Sequence, residues 1–192
     1  MNDFNQRIEE IRTDLEILQN SNVANQIGAA LNLIVSSLGR RLPMLVCGNG
    51  GSAADALHIT GELVGRFLVE RKALNVICLS ANVAVITAWA NDYEYDTIFA
   101  RQVQAHGVSG GVLFCLSTSG NSKNIIEALI AAKNLGMTTI GMTGEGGGCM
   151  ASHCDVLIDV PSRVTPRVQE MHLVIYHFLC EQIELSIVEG AA

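Results

Sequence analysis

The 192-residue chain has no run of basic residues: twelve Lys and Arg are scattered against nineteen Asp and Glu, for a formal charge of -7. Nucleic-acid affinity rests on clustered cations that neutralise phosphates, so neither DNA nor RNA is an expected partner. No apolar stretch approaches the ~18 residues a membrane-spanning helix needs. The opening segment, Met1-Asn2-Asp3-Phe4-Asn5-Gln6-Arg7-Ile8-Glu9-Glu10, lacks the basic and apolar regions of a signal peptide. The expectation is a cytoplasmic protein with no membrane partner. There is no Cys-x-x-Cys pair among the cysteines at 47, 78, 115, 149, 154 and 180, which read as small core residues in a reducing compartment. Cys149, His153 and Cys154 follow Gly146-Gly147-Gly148, but their spacing is not that of a zinc knuckle. Charge itself is scarce, at 16% against 49% hydrophobic residues. Such a balance points to helix faces hidden between subunits, hence a homo-oligomer.

What is present is periodic. Phe4, Ile8, Ile11, Leu15 and Leu18 recur every three or four residues, as do Val23, Ile27, Leu31, Ile34 and Leu38. This spacing predicts two amphipathic helices, a lead-in over residues 1–40. After Pro43 the pattern changes to short apolar runs at 44–47, 74–79, 112–116, 137–142 and 156–160, without alternation, as in parallel strands covered on both faces. Helices are predicted near 53–67, 83–90, 96–106, 122–135 and 166–187, the last following Pro161 and Pro166. The chain length suits one domain, 1–192, of α/β class: a three-layer, doubly wound parallel sheet of about five strands.

Ligands of such sheets bind beyond the carboxyl ends of the strands. Two loops of small polar residues fall there. The first, Gly48-Asn49-Gly50-Gly51-Ser52, leads into a helix whose first N–H groups would attract an anion. The second, Ser117-Thr118-Ser119-Gly120-Asn121-Ser122, offers four hydroxyls beside another helix start, enough to hold a phosphate without an arginine. An ordinary capped turn is the plainer reading of either. Gly48, Gly50 and Ala53 also fit a loose G-x-G-x-x-A pattern, but the next strand ends Cys78-Leu79-Ser80-Ala81-Asn82, without the carboxylate that would hold a dinucleotide's ribose.

His58 and Glu62 stand four residues apart on one helix face, close to the first loop. Alone they are a common hydrogen-bonded couple; beside an anion loop they suggest a reactive centre. The last helix carries Gln169, Glu170, His172 and His177 in an otherwise apolar stretch, where polar groups must be satisfied or functional. Glu170 and His177 are about 20° apart on a helical wheel and Gln169 about 80° from His177. Spacing alone selects Glu170 or His172 as the companion of His177. Asn91-Asp92 is either a helix-ending turn or a carboxylate and amide brought to a sugar's hydroxyls.

Together these segments resemble the sedoheptulose-7-phosphate isomerases, or phosphoheptose isomerases, of the sugar-isomerase (SIS) fold. The resemblance is carried by CGNGGSAADALH with Glu62 beyond it, by Asn91-Asp92-Tyr93, by LSTSGNS from Leu116 to Ser122, and by RVQEMH from Arg167 to His172 with His177. It implies Zn²⁺ held by His58, Glu62, Gln169 and His177. It implies substrate contacts at Asn49, Gly50, Gly51, Glu62, Asn91, Asp92, Ser117, Thr118, Ser119, Ser122 and Gln169, and an acid–base pair of Glu62 and His177. The implied reaction interconverts sedoheptulose 7-phosphate and D-glycero-D-manno-heptose 7-phosphate through an enediol, for heptose synthesis in lipopolysaccharide or other surface glycans. The implied assembly is a homotetramer with sites at subunit interfaces.

The chain departs from the usual pattern at Ser80-Ala81-Asn82-Val83-Ala84, at Val164, where an Asp is common, and at Trp89-Ala90, where Ile-Gly is common. A rival reading is a non-catalytic SIS relative that binds the bacterial replication initiator, but such a protein lacks the acidic residue that Glu62 supplies here. A sugar-phosphate sensor would need a DNA-binding domain for which this chain has no room.

Overall fold

Each apolar run forms a strand: β1 (Met44–Gly48), β2 (Val76–Cys78), β3 (Val112–Ser117), β4 (Thr138–Thr143) and β5 (Val156–Asp159). All pair in parallel, in the order β2-β1-β3-β4-β5. The computed structural model describes residues 3–190, so the two terminal residues at each end of the expected domain lie outside the described residues. The helices are α1 (Phe4–Gln19), α2 (Val23–Gly39), α3 (Gly51–Val64), α4 (Val83–Asp92), α5 (Ile98–His106), α6 (Lys123–Asn134) and α7 (Thr165–Glu189).

Alternate side chains of a strand face opposite layers. Met44 and Val46 of β1 pack with α2, α3 and α7, while Leu45 and Cys47 pack with α5 and α6. Each wholly buried residue such as Ile34, Leu63 or Phe114 contributes roughly 1.5–3 kcal/mol to this three-layer core. The lead-in is the two helices expected, but only part of the α1 stripe is covered: Leu18 is buried, whereas Phe4 and Ile8 are exposed.

Three elements differ from the expected bounds for local reasons. The helix expected over 53–67 ends at Val64, where Gly65 caps it, and residues 65–75 run irregularly along α7. Strand β2 therefore shrinks to three residues at the sheet edge. The segment 96–106 divides into a 3-10 turn, Tyr95–Thr97, and α5.

The topology places the site. From β1 the chain goes to β2 on one side of the sheet and returns to β3 on the other, so the loops after β1 and β3 run to helices on opposite faces. The crevice between them is where ligands of doubly wound sheets bind. Gly48 closes the turn from β1 into α3, and a Cβ there would lie 2.4 Å from the Ser52 carbonyl oxygen.

Candidate active site

Both polar loops line this crevice. Gly50, at φ 54°, caps α3 without a side-chain hydrogen bond. Across the crevice Ser122 is the N-cap of α6, yet its hydroxyl does not cap; it lies 3.1 Å from the Ser117 hydroxyl. Two helix N-termini thus face the crevice without a side-chain cap, and their partial positive charge favours an anion. The second loop is braced from behind. The Thr118 carbonyl accepts from Gly144 N–H at 3.1 Å, the Gly120 carbonyl from Met150 N–H at 2.9 Å, and the Asn121 side chain from Cys149 N–H at 3.0 Å. The Gly146–Gly148 turn and the cysteine after it are a buttress for the Ser117–Ser122 loop. The Ser119 hydroxyl accepts from Asn121 N–H at 3.2 Å. Asn49, at the mouth of the first loop, is held by the Asn124 side chain and by the Tyr95 hydroxyl.

Two turns along α3, His58 Nε2 lies 3.0 Å from Glu62 Oε1. His58 Nδ1 lies 3.0 Å from the hydroxyl of buried Tyr176, which donates in turn to Asp55 Oδ1 at 3.4 Å. Burial raises the Asp55 carboxyl above its ordinary range despite the Tyr176 hydrogen bond, and burial together with Asp55 raises the Tyr176 hydroxyl. A Tyr176 that donates to Asp55 must accept from His58 Nδ1–H. The Nε2 edge of the ring then faces the Glu62 carboxylate.

The His177 ring stands edge-on to His58, centroids 5.0 Å apart, and 5.8 Å from the Phe67 ring. Gln169 is elsewhere: a Cβ on Gly51 would fall 2.3 Å from its Nε2, which places it at the head of α3 beside the crevice. Eight residues separate Gln169 from His177, about 12 Å along α7. The donor types suit zinc; His58, Glu62 and His177 stand together, while the Gln169 side chain lies at the head of α3. Among the described residues no three His, Cys, Asp or Glu side chains form a group able to hold a metal ion. His58 and Glu62 are paired on α3, with the His177 ring beside them.

The companions that spacing selected for His177 are engaged elsewhere. Glu170 pairs with Arg167 at 2.6 Å. His172 is wholly buried, with Nε2 3.2 Å from the Thr143 carbonyl oxygen; burial lowers it to about 4 despite that hydrogen bond. It is a neutral core histidine. Asn91 and Asp92 end α4, where the Asn91 amide donates to Asp92 at 2.9 Å. Asp92 lines a cavity of about 450 Å³ with Trp89 and Arg101 on the β2 flank. In this chain it is Tyr95, a few residues on, that touches the first loop.

Sequence reasoning missed Asp55, Tyr176, Tyr95 and Asn124. Asp55 had a signal, since it stands three residues before His58 on the same helix face. Tyr176 was hidden in an apolar run, and the other two become neighbours of Asn49 only through packing.

The open parallel sheet, the two helix N-termini at its switch point and the His58–Glu62 pair lie within or border residues 4–144, which the SIS domain family model matches, so the chain is a SIS-domain protein. The chain belongs to the phosphoheptose isomerase family. The phosphoheptose isomerase of Rhodospirillum rubrum is 49% identical over 161 residues, 84% of this chain and 86% of that protein. That of Helicobacter pylori strain P12 is 46% identical over 176 residues, covering 92% and 89%. The solved phosphoheptose isomerase of Neisseria gonorrhoeae superposes with a TM-score of 0.88 at 36% identity over 93% of this chain and 95% of that one. For the Francisella tularensis enzyme the values are 0.89, 34%, 96% and 100%.

Proposed function

We propose that the protein interconverts the ketose sedoheptulose 7-phosphate and the aldose D-glycero-D-manno-heptose 7-phosphate, a step of heptose synthesis for lipopolysaccharide or another surface glycan. The observation that carries the reading, beside family membership, is Glu62: it is present, partly accessible and held against His58 at 3.0 Å.

The phosphate binds at the Ser117–Ser122 loop, where hydroxyls and the α6 N-terminus supply donors. Thr118 and Ser119 take part through this loop, and Gln169 with Asn49, Gly50 and Gly51 contacts the sugar, whose far end is thereby fixed and its reacting carbons oriented. Asn91 and Asp92 remain proposed contacts for the hydroxyls. Glu62 removes the proton next to the carbonyl, carries it between C1 and C2, and returns it, while His177 exchanges a proton with the carbonyl oxygen to form the enediol. Tyr176 and Asp55 hold the His58 ring in register.

Zinc is the proposed metal, on His58, Glu62, His177 and Gln169; when bound it polarises the sugar's carbonyl and hydroxyl oxygens. We place the complete site between subunits of a homotetramer. In support, the apolar side chains Leu57, Val64, Leu173, Val174 and Phe178 are exposed around His58, Glu62 and His177, a surface that a neighbouring subunit would cover. No helix among the described residues is long and apolar enough to cross a membrane. A phosphorylated sugar does not cross a bilayer unaided, so the cytoplasm is the compartment this reading requires.

The test is turnover of sedoheptulose 7-phosphate by purified protein containing about one zinc per subunit. Glu62→Gln is expected to lower the rate at least about 100-fold with an unchanged thermal unfolding curve. Wild-type protein that carries metal yet leaves the sugar untouched would overturn the proposal.

A further inference from the structure

The Asn49 and Asn124 carboxamides form a closed ring: Asn49 Nδ2 donates to Asn124 Oδ1 at 2.9 Å, and Asn124 Nδ2 donates to Asn49 Oδ1 at 2.9 Å. Asn124 is 2% exposed, on the first turn of α6, so the ring bridges the two walls of the crevice. Such a pair is degenerate by itself. If both amides turn over, each nitrogen takes the place of an oxygen and the same two hydrogen bonds form again. Tyr95 biases the pair: its hydroxyl donates to Asn49 Oδ1 at 2.9 Å, and because a phenol is a better donor than acceptor, the setting that turns the oxygen towards it is favoured over the one in which Asn49 Nδ2 would donate to it.

We propose that Tyr95 is a positioning residue which, acting on the Asn49–Asn124 amide pair, favours the setting in which Asn49 presents a single N–H, rather than an oxygen, to the substrate. In the selected setting both acceptor positions of Asn49 Oδ1 are used, by Tyr95 and Asn124. One of the two Nδ2 protons is used by Asn124. The remaining N–H is the polar handle left on the Asn49 side chain, and its complement is a hydroxyl or carbonyl oxygen of the sugar. The inference rests on Asn49 being a sugar contact.

Tyr95 is itself held in place. Trp89 Nε1 donates to the Thr97 hydroxyl at 2.9 Å, bracing the turn Tyr95–Thr97. One face of the Trp89 ring stacks on Tyr93 at 4.1 Å, and the Arg101 guanidinium lies over the ring at 4.9 Å. Trp89 thus sets the turn that carries Tyr95.

The experiment is a kinetic mutant cycle with Tyr95→Phe, Asn49→Ala and the double variant, together with the side-chain amide NMR signals of ¹⁵N-asparagine-labelled protein. Tyr95→Phe is expected to raise KM for sedoheptulose 7-phosphate about three- to tenfold, the worth of one hydrogen bond, with kcat changed less than about twofold because Glu62 and His177 are untouched. In the Asn49→Ala background the same change is expected to have no further effect. The Asn49 amide signal, assigned by its loss in Asn49→Ala, is expected to shift and lose exchange protection in Tyr95→Phe. Additive effects, a loss confined to kcat, or an unmoved Asn49 signal would overturn the inference. The NMR readout needs no turnover, so an inactive wild type would count against the proposed reaction while the amide signals still judge Tyr95.

Discussion

Arg71 and Glu184 face each other across the end of α3, Nε to Oε1 at 3.2 Å, with 4% and 1% of their side chains exposed. The Glu184 carboxylate also accepts the N–H groups of Phe67, Leu68 and Val69 at 2.9, 2.6 and 2.8 Å. Arg71 donates to the carbonyls of Glu62 at 2.9 Å and Gly65 at 3.1 Å, capping the last turn of α3 as a cation does well. One ion pair therefore ties the turn that carries Glu62 to α7, which carries His177.

Removing one partner of this pair strands a buried charge, so Glu184→Ala is expected to cost about 3 kcal/mol or more in chemical denaturation. Burial alone would raise the Glu184 carboxyl, but the three backbone N–H groups and Arg71 outweigh it and hold it below its ordinary 4.5. The stability it contributes is then complete above pH 4.5 and is lost as pH falls through the lower folded value. A Glu184→Gln protein is expected to lack that acid-limb loss, and an unchanged slope below pH 4.5 would contradict the assignment.

His172 makes a second, separable pH dependence. Its folded value is about 4 against an ordinary 6.5, so between those limits the unfolded chain takes up a proton that the folded one refuses. Stability should fall with acidification across this window by about 1.4 kcal/mol per pH unit. His172→Gln keeps a donor for the Thr143 carbonyl and is expected to flatten this part of the profile, as measured by urea unfolding at stepped pH.

Gly51 is required by its neighbour and not by its backbone. A Cβ there would meet Gln169 Nε2 at 2.3 Å, and the end of a flexible side chain can move aside. Gly51→Ala is therefore expected to change stability by less than about 1 kcal/mol while turnover falls at least tenfold, because Gln169 is pushed off the crevice. Loss of stability in proportion to loss of activity would show that Gly51 acts structurally.

Tyr176→Phe removes the group that accepts from His58 Nδ1 and frees the ring to take its other tautomer. Partners behind a metal-binding histidine typically change affinity about 10- to 100-fold. With zinc on His58 as proposed, competition of the variant with a zinc chelator is expected to show weakening in that range, and an unchanged zinc affinity would remove Tyr176 from the positioning role.

The five strands, the two loops and the His58–Glu62 pair were legible because each depends on periodicity or spacing within a few residues. Sheet strands covered on both faces are apolar runs, and residues four apart on a helix must be neighbours whatever surrounds them. By itself, then, the amino-acid order determined the layered α/β architecture, the place of the crevice and the His58–Glu62 pair of the candidate site. Tertiary packing decided the rest. It buried His172 against β4 and gave Glu170 to Arg167, although the helical wheel placed Glu170 near His177. It put Gln169 with Gly51 and His177 with His58, a separation set by how α7 lies along α3. It also joined Tyr95, Asn49 and Asn124, which come from three elements. Contacts of this kind depend on which faces of distant segments meet, a consequence of the whole core and of no local pattern.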